Sequence, residues 1–191
     1  MKMFKAIAIL TTFFVITTTA AQEKRWNQEP TSFRGIPWGA SEYEAKKIVQ
    51  KDPYAPFSCS QGGAATVGVE QICTAPFALG SAPIQANLTF SDQKFVYVSG
   101  SFKIDDYSLV KRAFMDKYGP PTSTEQSRVQ TKIGATYDQE ELKWVGPNIQ
   151  ISLQRFGSKI TEGYFYVTTQ EYWAARLKAF EERRSKLKDK L

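Results

Sequence analysis

Ile84-Gln85-Ala86-Asn87-Leu88-Thr89-Phe90, then Ser91-Asp92-Gln93-Lys94, then Phe95 through Phe102 is the stretch that decides the fold. Apolar and polar residues alternate from Ile84 to Phe90, the period of a strand buried on one face. Ser91 to Lys94 carries turn residues, and Val96, Val98, Gly100 and Phe102 continue the alternation as a return strand. The period then changes. Phe102-Lys103-Ile104 leads into Asp105 and Asp106 as candidate helix caps, and Tyr107, Val110, Phe114 and Tyr118 recur at helical spacing until Gly119-Pro120-Pro121 ends the helix. A hairpin feeding a helix predicts an antiparallel α+β fold.

The same phrase is legible upstream. Phe33-Arg34-Gly35-Ile36-Pro37-Trp38-Gly39 reads as a short extended piece turning sharply, and Ser41 with Glu44 forms a capping box for a helix whose apolar side is Tyr43, Ala45, Ile48 and Val49. This helix must stop before Pro53. Thr66, Val67, Val69 and Ile72 lie in a cysteine-bracketed stretch before Ile84. Downstream of the second helix, Thr122 to Lys132 is a polar run. Leu142-Lys143-Trp144-Val145, then Ile149, Ile151 and Leu153, then Tyr164 to Thr168 read as strands. The expectation is one domain over 33–168 with two halves, 33–102 and 103–168, each a helix with about three antiparallel strands.

The Phe-x-Gly-Ile-x-Trp-Gly-x-Ser phrase at 33–41 and the Tyr-Gly-Pro-Pro exit at 118–121 resemble small bacterial periplasmic proteins that begin with a similar phrase. The layout is also similar to the helix-plus-sheet repeats of the β-lactamase-inhibitor-protein and outer-membrane-assembly lipoprotein (SmpA/BamE) superfold. That resemblance spans roughly residues 33–168 and implies binding or inhibition of proteins rather than catalysis. The lipoproteins carry an anchoring cysteine near their start, and this chain has none there.

The first 21 residues set the address. Lys2 and Lys5 precede an apolar or hydroxylic run, Ala6 to Thr19, closing on Ala20 and Ala21, which predicts a secretory signal peptide and a periplasmic or secreted, soluble product without a transmembrane segment. Residues 22–32 are polar, contain Pro30 and are expected to form a flexible leader. The two cysteines, Cys59 and Cys73, are expected to pair in an oxidising compartment. Loop-entropy arguments give such a bridge on the order of 3 kcal/mol at most.

Composition narrows the chemistry. The chain has no histidine, which removes the commonest general base and every histidine-containing metal site. The adjacent acids Asp105-Asp106, Glu140-Glu141 and Glu181-Glu182 point apart on regular elements and do not make a glycosidase pair. No oxygen-ligand calcium loop is present, so no catalytic residue, metal or cofactor is expected. Without Lys2 and Lys5 the formal charge falls from +6 to +4, spread along the chain, and no nucleic-acid partner is expected.

Residues 169–191 predict one basic amphipathic helix. Trp173, Leu177, Phe180, Leu187 and Leu191 form a stripe interrupted by Arg184 and ringed by Lys178, Arg183, Lys186, Lys188 and Lys190. Either its first apolar residues pack on the sheet and the rest is solvated, or the helix docks a partner, a second copy or an anionic membrane. Trp144 and Tyr164 are the strand aromatics expected to be exposed. The leading expectation is a non-catalytic protein-interaction or inhibitor-like module of the cell envelope. The alternatives are a binder of envelope glycan or anionic lipid, and a histidine-independent enzyme.

Overall fold

The computed structural model describes residues 26–51, 55–62 and 71–188, with side chains to 186. The signal segment 1–21, Thr66, Val67, Val69 and Leu191 lie outside the described residues. In chain order the elements are β1 (Ser32–Phe33), β2 (Ile36–Pro37), α1 (Glu42–Val49), β3 (Ser58–Gln61), β4 (Gln71–Leu79), β5 (Ala82–Ser91) and β6 (Lys94–Lys103). They continue with α2 (Tyr107–Tyr118), β7 (Ser123–Gln130), β8 (Thr136–Val145), β9 (Ile149–Gln154), β10 (Glu162–Thr169) and α3 (Gln170–Lys188).

One antiparallel sheet of eight strands dominates the fold, in the order β3-β4-β5-β6-β10-β9-β8-β7. The fold is therefore α+β, but each half contributes a four-strand meander rather than three strands. The halves meet where β6 pairs with β10, Gly100 opposite Phe165 and Val98 opposite Val167. Sequence periodicity misses β7 because Ser123–Gln130 is almost wholly exposed and carries no apolar alternation. β3 escapes for the same reason, being short and mostly exposed.

The β5–β6 hairpin follows its sequence. Asp92 and Gln93 both take positive φ, 50° and 63°, and Ser91 pairs with Lys94, a two-residue turn whose twist matches the strands it joins. A bulge between Thr89 and Phe90 shifts the register and puts both Phe90 and Phe95 in the core.

α1 begins with the expected capping box: the Glu44 amide donates to Ser41 Oγ and the Ser41 amide donates to the Glu44 carboxylate at 2.8 Å. Ala45 is buried and Ile48 and Val49 pack on the core, whereas Tyr43 is 66% exposed and stands outside the apolar side assigned to it. Asp105 and Asp106 form a 3-10 turn ahead of α2, and no side-chain cap bond starts the helix. Tyr107, Val110, Phe114 and Tyr118 are buried at the predicted spacing. The chain leaves α2 at Gly119, φ 74°.

Both helices bury their apolar residues in one cluster with Phe33, Leu88, Val98, Leu153 and Phe165, so they cover a single face of the sheet. Two indoles close the C-terminal end of α2: Trp26 Nε1 donates to the Tyr118 carbonyl at 2.8 Å, and Trp144 Nε1 donates to the Gly119 carbonyl at 2.9 Å. Trp26 is 9% exposed, and Glu29 accepts from the Asn148 amide at 2.6 Å. The described part of the expected leader is thus packed structure. A tryptophan among polar residues was its signal, outweighed in the sequence by Pro30 and the surrounding polarity.

Cys59 and Cys73 are disulfide-bonded and directly opposite in the β3–β4 register, with Cα atoms 4.0 Å apart. The bond ties the short edge strand β3 to β4, whose Pro76 falls beyond the residues β3 pairs with and costs no ladder bond on that side. No described helix is long and apolar enough to cross a membrane.

Candidate binding face

The face of the sheet turned away from α1 and α2 is built by strand alternation. Along β5 it carries Gln85, Asn87 and Thr89; along β6, Tyr97, Ser99 and Ser101; along β10, Tyr164, Tyr166 and Thr168; along β9, Gln150, Ser152 and Gln154. Glu141 and Lys143 of β8 continue the row. At the positions named on β5, β6, β10 and β9 the row is tyrosine, serine, threonine, glutamine and asparagine, while the intervening residues fill the core.

Cross-strand contacts order this face. The Tyr97 and Tyr164 hydroxyls are hydrogen-bonded at 2.8 Å across the junction of the two halves, and Gln150 Nε2 donates to the Tyr166 hydroxyl at 2.8 Å. Ser152 Oγ donates to Glu141 at 2.6 Å, and Lys143 bridges Glu125 at 2.6 Å and Glu141 at 3.6 Å. Among the described residues no buried side-chain polar atom lacks a partner. Burial first, and then the neighbouring Tyr164, raise the Tyr97 phenol above its ordinary value, and burial raises Tyr166 and Tyr172. The ordered part of the face is therefore a set of neutral donors and acceptors around one small ionic cluster.

The adjacent acids separate as their neighbouring positions require. Glu141 points to this face, whereas Glu140 points to the helices, where it accepts from Tyr107 and ion-pairs with Lys111 at 2.7 Å. Desolvation opposes ionisation of Glu140, but hydrogen bonds from Lys111 and Tyr107 outweigh it and hold the carboxyl below its ordinary value. Among the described residues, metal-type ligands gather at Glu42, Cys59 and Cys73, where both sulfurs are already bonded to each other.

α3 starts on this same face. Trp173 stacks on Tyr166 with centroids 5.2 Å apart, Tyr172 leans on Tyr97, and the Arg176 guanidinium sits 5.5 Å from the Tyr97 ring centre. Beyond these turns the helix projects. Leu177 is 46% and Phe180 65% exposed, and Arg183 and Lys186 are exposed. Among the described residues, the ring contacts of the helix with the sheet come from its start, Tyr172, Trp173 and Arg176. Leu187 belongs to the helix, with its side chain outside the description.

Trp144 is a correction. It is fully buried against Phe114, on the same side of β8 as Leu142 and opposite Lys143. The alternation Leu142-Lys143-Trp144 already carried that placement, because residues two apart share a face. Tyr164 is half-buried on the open face. Tyr97, Tyr166 and Tyr172, which organise the site, were not singled out in the sequence. Their signal was the period of two in Tyr97-x-Ser99-x-Ser101 and Tyr164-x-Tyr166-x-Thr168.

A second feature stands at the far edge. β8 pairs with β9 only from Glu141 on, so the β7–β8 hairpin extends past the sheet as an arm, with Ile133 92% exposed in its turn. Tyr137 packs edge-on against Phe156 and braces the arm.

No protein-family model matches the chain, and neither curated proteins nor solved structures give a match.

Proposed function

We propose that the protein is an exported, non-catalytic binding module that engages an envelope protein through the open face of its sheet. One observation supports this reading: a row of tyrosine, serine, threonine, glutamine and asparagine across four strands, held by its own cross-strand bonds, with Tyr97, Ser99, Ser152, Tyr166 and Thr168 buried at its centre and Gln85, Asn87 and Ser101 exposed at its margin. Tyrosine with serine and asparagine is the composition that antibody-type binding surfaces favour. Half-buried Tyr164 supplies contact area with few torsions to freeze, and the exposed Gln85, Asn87 and Ser101 supply adaptable hydrogen bonds. The projecting arm with Ile133 at its turn offers an apolar anchor beside a polar face, and α3 offers Leu177 and Phe180.

A sugar-stacking role is less well supported. Tyr166 is stacked with both Tyr97 and Trp173, so its ring is already engaged.

Cross-linking with mass spectrometry in the native envelope tests the reading. Links from a partner are expected at Lys103 and Lys143 of the open face, and not at Lys46, Lys47 or Lys111 on the helix side. Partners that disappear on removal of 178–191 would move the contact to α3. Links confined to the helix side would overturn the proposal.

A further inference from the structure

A cleft of ≈ 650 Å³ opens where the β1–β2 turn, the last residues of α1, the end of α2 and β4 converge. Its volume lies within the roughly 300–1,000 Å³ of small-molecule sites. Ile48, Val49, Pro76 and Phe77 make its apolar wall, and Arg34 and Lys117 share its lining.

The two cations are placed against expectation. Among the described residues, no carboxylate lies within ion-pair distance of either one. Arg34 also holds φ 51° in the two-residue turn that joins Phe33 to Ile36, followed by Gly35 at φ 85°. Such a turn favours glycine, asparagine or aspartate, because a Cβ crowds the backbone carbonyl there, a strain that Gln93 of the β5–β6 turn also carries. A strained arginine at the mouth of a cleft is the kind of outlier that accompanies a binding role. Lys117 is fixed by its ammonium lying 5.3 Å from the Tyr118 ring centre. Desolvation, and next the charge of Arg34, lower its pKa, so an anion between the two cations relieves an existing repulsion.

We propose that this cleft binds a single-chain amphiphile with a phosphate-monoester head, the phosphate between Arg34 and Lys117 and the alkyl chain along Ile48, Val49, Pro76 and Phe77. Two positive charges with no carboxylate partner among the described residues match a head that carries nearly two negative charges at neutral pH. A guanidinium fork beside a lysine point charge is a recurring way to hold phosphate. The cleft borders the helices and not the open face, so this site stands or falls independently of the protein-binding proposal.

The test is calorimetric titration of the chain from Gln22 to Leu191 with dodecyl phosphate below its micellar concentration. Saturable binding is expected, weakened about tenfold in each of Arg34→Gly and Lys117→Gln, the loss of one charge-assisted contact. Arg34→Gly relaxes the turn, so its thermal unfolding should match or exceed that of the native chain. Laurate is expected to bind more weakly than dodecyl phosphate, and inorganic phosphate more weakly still. Absence of saturable binding, or native affinity in both variants, would overturn the site. Equal or tighter laurate binding would overturn the phosphate head, and equal binding of inorganic phosphate would overturn the alkyl channel.

Discussion

The hydroxyls of Tyr97 and Tyr164 meet at 2.8 Å across the one strand pair that joins the two halves of the sheet. One tyrosine comes from each meander, so the bond reports their registration as directly as any backbone contact. Tyr97→Phe and Tyr164→Phe are each expected to cost about 1 kcal/mol. A double-mutant cycle by chemical denaturation should show the two losses coupled, the second substitution adding little to the first.

Alkaline pH should destabilise the protein. Burial, and next Tyr164, keep the Tyr97 phenol neutral beyond its ordinary value, and burial pushes Tyr118 up to about 12. A group whose folded pKa is raised contributes stability that is complete below its unfolded value, roughly pH 10, and is lost as pH rises through the folded value. Spectrophotometric titration at tyrosinate wavelengths should therefore show late phenols released together with unfolding.

Acid should act through Glu140. Its folded pKa is depressed, so its contribution is present above the ordinary carboxylate value of roughly 4.3 and is lost as pH falls through the lower folded value. Glu140→Gln is expected to cost about 1–2 kcal/mol at neutral pH and to flatten the acid limb of the stability profile. Thermal unfolding from pH 2 to 7 checks both.

Trp26 makes the N-terminal segment part of the domain. Its indole is buried against Tyr118, edge-on at 6.3 Å, and closes α2 with a hydrogen bond. Trp26→Ala is expected to cost about 3–5 kcal/mol. A truncation starting at Ser32 should unfold at a clearly lower temperature than the chain from Gln22.

Much of the fold was legible where one periodicity prevailed. Ile84–Phe90, its turn, the Ser41–Glu44 capping box and the four buried residues of α2 follow their sequence signals directly, the return strand does so from Val98 on while Val96 sits at the bulge against the tyrosine cluster, and Cys59–Cys73 is bonded as their count suggests. What escaped was structure without apolar contrast. β7 is polar on both faces, β3 is short and exposed, and Trp26 stands alone among polar residues. The site was harder to read because its tyrosines alternate with core residues, and burial of an aromatic depends on which face the strand presents. Trp144 lies on the inner face with Leu142, while Tyr164 and Tyr166 lie on the outer one. The α3 stripe was legible as a pattern, yet its burial was not, since Trp173 finds the tyrosine cluster and Leu177 and Phe180 lie past it.

The most direct measurement of the central claim is site-specific photo-cross-linking in the native envelope, with the photoreactive residue placed at Gln85 or Ser101 on the open face and at Tyr43 on α1. All three positions are exposed, so the comparison isolates the face and not accessibility. A discrete protein adduct at Gln85 and Ser101 and none at Tyr43 is the predicted result. Adducts at Tyr43 alone, or none at either open-face position, would contradict the account.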